Sequence, residues 1–224
     1  MAECVYCERS GWLLAVDGRG LCNDCARQVG PAIDENISIM QSSYKVAASA
    51  KTITMKLSRL EDCRLALENL VPFAEAGIPT LATPPDELAE QIGVIYRSAA
   101  GEEVEAIIAT AQDKSNAAST DAARLRPYSS AVDKLKKLAR DYPDLPIFAE
   151  AADKMLLALD TYKFELACRR SEAEEAKGKP KKAADILIDA MIALKYDNTP
   201  DADQEELFER ARMRIEALGA TAPF

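Results

Sequence analysis

The N-terminal part of the fold is decided by residues 4–25, which read CVYCERSGWLLAVDGRGLCNDC. Two Cys-x-x-Cys pairs, Cys4 with Cys7 and Cys22 with Cys25, stand at the ends of this stretch, and fourteen residues separate the pairs. Two thiolates from each of two chelating loops complete a tetrahedron around one metal ion. The pattern therefore predicts a metal site formed by all four cysteines.

Zinc is the metal that this ligand set predicts, because four thiolates form the closed shell of a structural zinc site. Such a shell leaves no position for water or substrate, so the ion is expected to stabilise folding rather than to catalyse a reaction. About thirty residues cannot bury enough apolar surface to fold alone, which explains the need for a metal. Two alternatives stay open: a mononuclear iron site with the same ligands, and a redox dithiol, which would leave the second pair unexplained.

Between the cysteine pairs the sequence predicts a β-hairpin. Trp12–Val16 has the composition of a strand, and Asp17-Gly18 is a turn signal. A helix is predicted to begin at Ala26, after the second pair. This order of knuckle, hairpin and helix resembles treble-clef and zinc-ribbon modules, which occur in DNA-binding, RNA-binding, ubiquitin-pathway and purely structural settings. The resemblance therefore does not choose a function.

The next segment predicts one long amphipathic helix over residues 33–73. Apolar residues recur there at steps of three and four, while Lys51 and Arg64 interrupt the series. The positions are Ile33, Ile37, Met40, Tyr44, Ala47, Ile53, Leu57, Leu60, Leu67 and Val71. This seam predicts packing against a helix of the same chain or of a second copy, so a homodimer through residues 33–73 is one expectation.

A connection is predicted at Gly77–Asp86, because its three prolines remove backbone donors and fix φ. The following helix is expected over residues 87–99. Gly101 is predicted to break the pattern before another helix over residues 102–118.

The C-terminal half carries a helical-hairpin pattern. Ser171, Gly178, Ala183 and Ala190 are spaced as in a tetratricopeptide hairpin, with a glycine at the turn and small residues where two helices approach closely. Residues 171–197 therefore resemble that family. The resemblance implies antiparallel helices and a surface that binds peptides.

A fainter copy of this pattern lies upstream at Ser119, Ala131, Leu138 and Pro143. Its 52-residue separation from the later copy exceeds the usual repeat of about 34, so close packing of ordinary bundle helices through small residues is the alternative. Further helices are expected over residues 147–177 and over residues 202–218. Gly219 then has the position of a helix C-cap.

Charge and composition limit the partners. The formal net charge of −9 opposes binding to nucleic acid or to an anionic membrane surface. The N-terminus has no leader pattern, and no apolar run reaches the roughly 18 residues of a membrane span, so a cytoplasmic protein is expected. Cys63 and Cys168 stand alone in helical patterns and are predicted to be core residues.

Catalytic chemistry is not predicted at any residue. The chain has no histidine, which removes Ser-His-Asp and Cys-His catalysis and every histidine-containing metal site. No phosphate-binding or dinucleotide-binding glycine motif occurs. The expected function is that of a non-enzymatic zinc-binding protein with a protein partner. The alternatives are a nucleic-acid-associated regulator that uses the zinc module and a Cys-x-x-Cys redox protein.

The sequence thus predicts a mainly α fold in four segments. They are a zinc-binding module at 1–30, a long amphipathic helix at 31–76, a Pro-rich connection at 77–86, and a helical domain with tetratricopeptide-like hairpins at 87–224. As a whole the chain resembles bacterial and phage proteins in which a four-cysteine module precedes a helical body.

Overall fold

The computed structural model describes residues 2–224 and confirms the mainly α fold, since 74% of the chain is helical. The strands β1 (Ala2–Glu3) and β2 (Ser10–Gly11) pair antiparallel, with Ala2 opposite Gly11. Seven α-helices follow: α1 (Asn23–Ser49), α2 (Ile53–Glu75), α3 (Pro85–Ala117), α4 (Asp121–Asp141), α5 (Ile147–Glu175), α6 (Pro180–Lys195) and α7 (Glu205–Ala217). In the described part of the chain, no helix is long and apolar enough to cross a membrane.

The chain divides into two compact units, one ending at Glu103 and the other comprising Val104–Phe224. In the first unit, α1 and α2 pack against each other. Only residues 50–52 connect them, so the two helices run antiparallel as a hairpin. The start of α3 also belongs to this unit.

The single helix predicted over residues 33–73 is therefore two helices. Ala50 is extended, with ψ 132°, and the Thr52 hydroxyl accepts a hydrogen bond from the Met55 amide at 3.3 Å. This side-chain cap begins a new helix and satisfies an amide that has no intrahelical partner. Leu57, Leu60 and Leu67 of the apolar seam are buried within the unit, whereas Tyr44 of the same seam is exposed.

The break predicted at Gly101 is also wrong, because α3 runs through this residue without interruption. Glycine inside a helix costs only about 1 kcal/mol relative to alanine. Buried positions continue on both sides of it, among them Ala99, Ala100, Val104 and Ile107. Burial of this face outweighs the local preference of one glycine.

In the second unit, α4 packs against α5, α5 against α6, and α6 against α7. The helices predicted at 147–177 and 202–218 are present as α5 and as α7, which follows a 3₁₀ turn at Asp201–Gln204. Gly219 has φ +78°, as predicted for the end of the last helix. One core cluster joins α5, α6 and α7: Phe164, Leu187, Met191, Leu194, Leu207, Phe208, Ala211 and Ile215.

The hairpin of α5 and α6 closes as the small-residue pattern predicts. The Ser171 hydroxyl donates to the Ala183 carbonyl at 2.9 Å, and both residues are buried. Gly178 in the connecting turn has φ +70°, a conformation that side chains rarely adopt. Small residues thus let the two helices approach closely at this point.

An ion-pair cluster at the hairpin turn makes stability depend on pH. Glu174 contacts Lys177 at 2.8 Å and Lys182 at 3.2 Å, and hydrogen bonds from these ammonium groups lower the pKa of Glu174 to about 2. An unfolded-state glutamate titrates near pH ~4.3. Because the folded-state pKa is the lower one, the stabilisation is complete above about pH 4.3 and is lost as the pH falls towards 2.

We therefore expect Glu174→Gln to lower the Tm at neutral pH, and we expect the difference from wild type to disappear near about pH 2. Thermal melts across acidic and neutral buffers would measure this. The exposed Glu90 provides the control, because Glu90→Gln should leave the pH profile of the Tm unchanged. A Glu174→Gln profile parallel to that of wild type would contradict the prediction.

Candidate metal centre

Two loops carry the four cysteines. In the first loop the Glu8 amide donates to the Cys4 carbonyl at 2.8 Å, and the Cys4 amide donates to the Arg9 carbonyl at 3.0 Å. These bonds fold Cys4 and Cys7 onto the same side of a tight turn. In the second loop Cys22 is the N-cap residue of α1 and Cys25 lies in the first helical turn. One helix end thus positions half of the site.

The sulfur atoms of Cys4, Cys7, Cys22 and Cys25 all lie within 4.8 Å of one another. The Sγ atoms of Cys7 and Cys22 are 3.9 Å apart. Four thiolates bound tetrahedrally at about 2.3 Å from one ion are roughly 3.8 Å apart. The four cysteines therefore fit a single metal ion, as the sequence predicts.

Three of the four cysteines are buried and one is exposed. Cys4, Cys22 and Cys25 are 0%, 3% and 5% exposed, whereas Cys7 is exposed. Leu21, Val29 and Ile33 belong to the same core cluster as the three buried cysteines. The site is thus a part of the hydrophobic core with one edge at the surface.

Backbone amides favour a thiolate at Cys4. The Cys22 amide donates to the Cys4 sulfur at 3.3 Å. Hydrogen bonds from the backbone of Cys22 and Cys7 lower the pKa of Cys4 to about 6. The pKa of Arg9, which lies close to the cysteines, is raised by its electrostatic interaction with Cys7 and by its hydrogen bond to Asp24.

The pKa of Cys25 changes in the opposite direction from that of Cys4. Burial, followed by hydrogen bonds with the neighbouring cysteines, raises its pKa. A thiol must lose its proton to bind a metal, so metal binding at this site releases protons. A bound divalent ion would offset the charge of four close thiolates and make their burial favourable.

The predicted strand at Trp12–Val16 is wrong, since the sheet lies earlier, at residues 2–3 and 10–11. Residues 12–13 form a turn, and Val16 makes an isolated bridge to Cys22. In this apolar run only Leu14 packs against the core cluster around the cysteines. Because β2 ends at Gly11 and the chain turns at residues 12–13, the apolar run follows the sheet instead of joining it. The turn predicted at Asp17-Gly18 is present, because the Asp17 carboxylate accepts from the amides of Arg19 and Leu21.

Gly20 closes the loop by a close backbone approach. Its carbonyl accepts from the Val5 amide at 3.0 Å, its φ is +75°, and an added Cβ would lie 3.0 Å from Val5 Cγ1. We expect Gly20→Ala to lower the free energy of unfolding of the metal-loaded protein by about 1–2 kcal/mol. Equilibrium unfolding would measure it, with Gly18→Ala as the control because a Cβ there meets open space. Equal effects of the two substitutions would contradict this account.

The remaining cysteines stand apart from the cluster. Cys63 is buried in α2, where its thiol donates to the Met40 carbonyl at 3.3 Å and burial raises its pKa to about 11. Cys168 is half-buried against the core of the second unit, and burial raises its pKa as well. Both shifts favour the unreactive thiol, in agreement with the core role predicted for them.

Within residues 2–224 the cysteine tetrad is the one group of three or more side chains arranged to hold a metal ion. The sequence predicts all four candidate ligands that the structure brings together, but it does not predict the Cys22 amide, whose role depends on three-dimensional proximity. No protein-family model matches the chain, and neither a curated protein nor a solved structure gives a significant match.

Proposed function

We propose that this chain is a non-enzymatic zinc-binding protein that acts by binding another protein. The carrying observation is the cysteine tetrad, in which four sulfurs lie within 4.8 Å and three of the four residues are buried. A shell of four thiolates leaves no coordination position for a substrate or for a reactive water. Its role in the proposal is to brace the N-terminal loops.

Zinc is the proposed metal because a closed four-thiolate shell is typical of structural zinc sites. The order of cysteine loop, short hairpin and helix supports a module like a treble clef or a zinc ribbon. Iron in the same shell and a redox dithiol remain the chemical alternatives. Convergence of both cysteine pairs on one point argues against a dithiol, which would use a single pair.

The helices of the second unit supply the proposed interaction surface. Consecutive helices from α4 to α7 contact one another in chain order, and Ser171 meets Ala183 as in a tetratricopeptide-like hairpin. A groove of about 380 Å³ between α5 and α6 has a partly apolar lining. Its apolar residues are Phe164, Ala167, Ile186, Ala190, Ala193 and Leu194. A groove of this kind suits a peptide segment of a partner.

The homodimer through residues 33–73 stays a proposal. Leu57, Leu60 and Leu67 of the predicted seam are buried within one chain, so exposed seam residues such as Tyr44 would have to supply the contact. Nucleic acid is not the proposed partner. Two arginines near the cysteines are engaged by carboxylates, Arg9 by Asp24 and Arg19 by Asp34. These pairs reduce the positive charge that phosphate recognition needs.

The test begins with elemental analysis and light scattering of the purified, untagged protein. One zinc per chain, together with a stoichiometric complex between this chain and a purified protein from its source cells, is the expected result. Iron in place of zinc would overturn the metal assignment. Salt-sensitive binding to a random duplex would favour the regulator, and dithiol–disulfide exchange activity lost on changing one cysteine pair would favour the redox protein.

A further inference from the structure

The most exposed large apolar side chains of the described chain stand next to each other beside the metal centre. Trp12 is 93% exposed and Leu13 is 100% exposed. Both lie in the turn after β2, and we call these two residues the tip. A tryptophan and a leucine left wholly in water contribute no burial free energy to folding, so their exposure points to a role outside the folded core.

The tip is held by ordered structure on both sides. Gly11 belongs to β2, and the Leu14 amide donates to the Gly11 carbonyl at 3.4 Å across the turn. Leu14 packs against the core cluster that contains Cys4, Cys22 and Cys25. The folded module thus holds the backbone of the tip in one arrangement, which reduces the backbone entropy lost on binding.

Self-association through the tip is not supported by its size. Two such side chains offer at most about 400 Å² of surface, so two tips facing each other would bury roughly 800 Å². Stable specific interfaces bury about 1,200–2,000 Å². A small aromatic and aliphatic anchor is instead suited to insertion into a pocket of a larger surface.

The charges around the tip indicate which charge the rim of a partner's pocket would carry. Residues 11–16 carry no charge, whereas Glu3, Glu8 and Asp17 are exposed on the flanking segments. The one exposed cation beside them, Arg9, is paired with Asp24, so the acidic groups outnumber it. Glu3 pairs with Ser10 in the sheet that leads into the tip. Four thiolates on a divalent ion would add a net charge of about −2. This surrounding field repels an anionic membrane or a nucleic acid and attracts a basic rim.

We propose that Trp12 and Leu13 are the anchor that inserts into an apolar pocket with a lysine- or arginine-rich rim on a partner protein. This inference rests on the proposed function and adds to it a second contact surface, on the N-terminal module. The pocket excludes water around the indole and the leucine side chain, while the basic rim pairs with the acidic flanks of the tip.

The experiment uses the zinc-loaded full chain as bait in a lysate of the source cells. Three baits are compared: wild type, Trp12→Ala/Leu13→Ala, and the control Tyr196→Ala/Met213→Ala, which removes exposed apolar side chains elsewhere. A protein retained by wild type and by the control is then identified and purified. Its affinity for each bait is measured directly. All three baits should have the same Tm, because the changed side chains are exposed.

The expected result is a loss of affinity of about 100-fold for Trp12→Ala/Leu13→Ala and little change for the control. Trp12 is the only tryptophan of the chain, so its fluorescence should shift to shorter wavelength when the purified partner binds. Affinity should also fall as salt is added, since acidic flanks meet a basic rim.

Other outcomes separate the two proposals. A purified partner that binds wild type and the tip variant equally would overturn the anchor and leave the proposed function standing. A wild-type chain that forms no complex with any purified protein would overturn both proposals. Blue-shifted Trp12 fluorescence on phosphatidylserine–phosphatidylcholine vesicles, without a protein, would identify the tip as a membrane anchor and would likewise overturn the inference.

Discussion

Replacing Cys4 with serine is expected to remove the metal ion and to unfold the loops around it. Cys4 is fully buried, and its sulfur accepts from the Cys22 amide as well as facing the other three thiols. Structural zinc contributes about 10–16 kcal/mol of binding free energy in small zinc modules, and that binding energy is also folding energy. Elemental analysis should show zinc falling from one ion per chain to nearly none.

The loss of ordered structure should extend from the cysteine loops to the residues that share their core cluster. Leu70 at the end of α2 and Ile78 after it belong to the core cluster that contains the cysteines. Hydrogen exchange is therefore expected to accelerate at the amides near these residues and to stay slow in α5 and α6. Cys168→Ser is the control, because Cys168 lies outside the tetrad and should leave the zinc content unchanged. Full zinc occupancy in the Cys4→Ser protein would refute the assignment.

Phe164→Ala is expected to be among the most damaging single changes in the second unit. Phe164 is 1% exposed, packs in the cluster of α5, α6 and α7, and lies under the guanidinium of Arg210 at 5.4 Å from the ring centroid. Removing a buried phenylalanine side chain costs about 3–5 kcal/mol, through lost burial and the cavity left behind. Chemical denaturation of the second unit would measure the loss.

Tyr196→Ala is the matched control for this prediction. Tyr196 follows α6 closely in sequence but is largely exposed, so its removal should change the free energy of unfolding by less than about 0.5 kcal/mol. Phe164→Leu should lie between the two, because most of the buried volume is kept. A Phe164→Ala protein as stable as the Tyr196→Ala protein would contradict the packing described for α5.

The candidate metal ligands could be predicted because the short spacing within each cysteine pair is typical of a metal-binding loop. Each Cys-x-x-Cys pair needs only one tight loop, and two pairs need only one closure of the chain. The helices of the second unit were predictable for a similar reason. The small residues Ser171 and Ala183 mark the point where two helices approach each other, and Gly178 marks the turn between them.

The interruptions of the helices were not predictable from periodicity. Between Ala47 and Ile53 the apolar repeat has a gap at Lys51, but a similar gap at Arg64 does not end a helix, so the gap alone does not mark the break. The break depends on the Thr52 cap together with packing of the second helix back on the first. At Gly101 the reverse holds, since a residue of poor helix propensity is retained by burial on both sides. In both places tertiary packing decides between local alternatives of similar free energy.

The exposed position of Trp12 could not be predicted either. An apolar run between two metal-binding pairs has the composition of a strand, and composition does not say which side chains face the core. The structure buries part of Leu14 and leaves Trp12 and Leu13 in water. Only the closure of the loop by the cysteines fixes which residue turns inwards.

The shared core around the cysteines limits how this region could be transplanted. A fragment ending at residue 30 would contain all four thiols of the tetrad, yet it would lack Ile33, Leu70 and Ile78, which cover the buried side of the site. A graft onto another protein would have to carry the chain through Ile78 to keep that cover. Gene fusion or recombination that moved only the cysteine loops would transfer the four cysteines without the apolar residues that shield them from water.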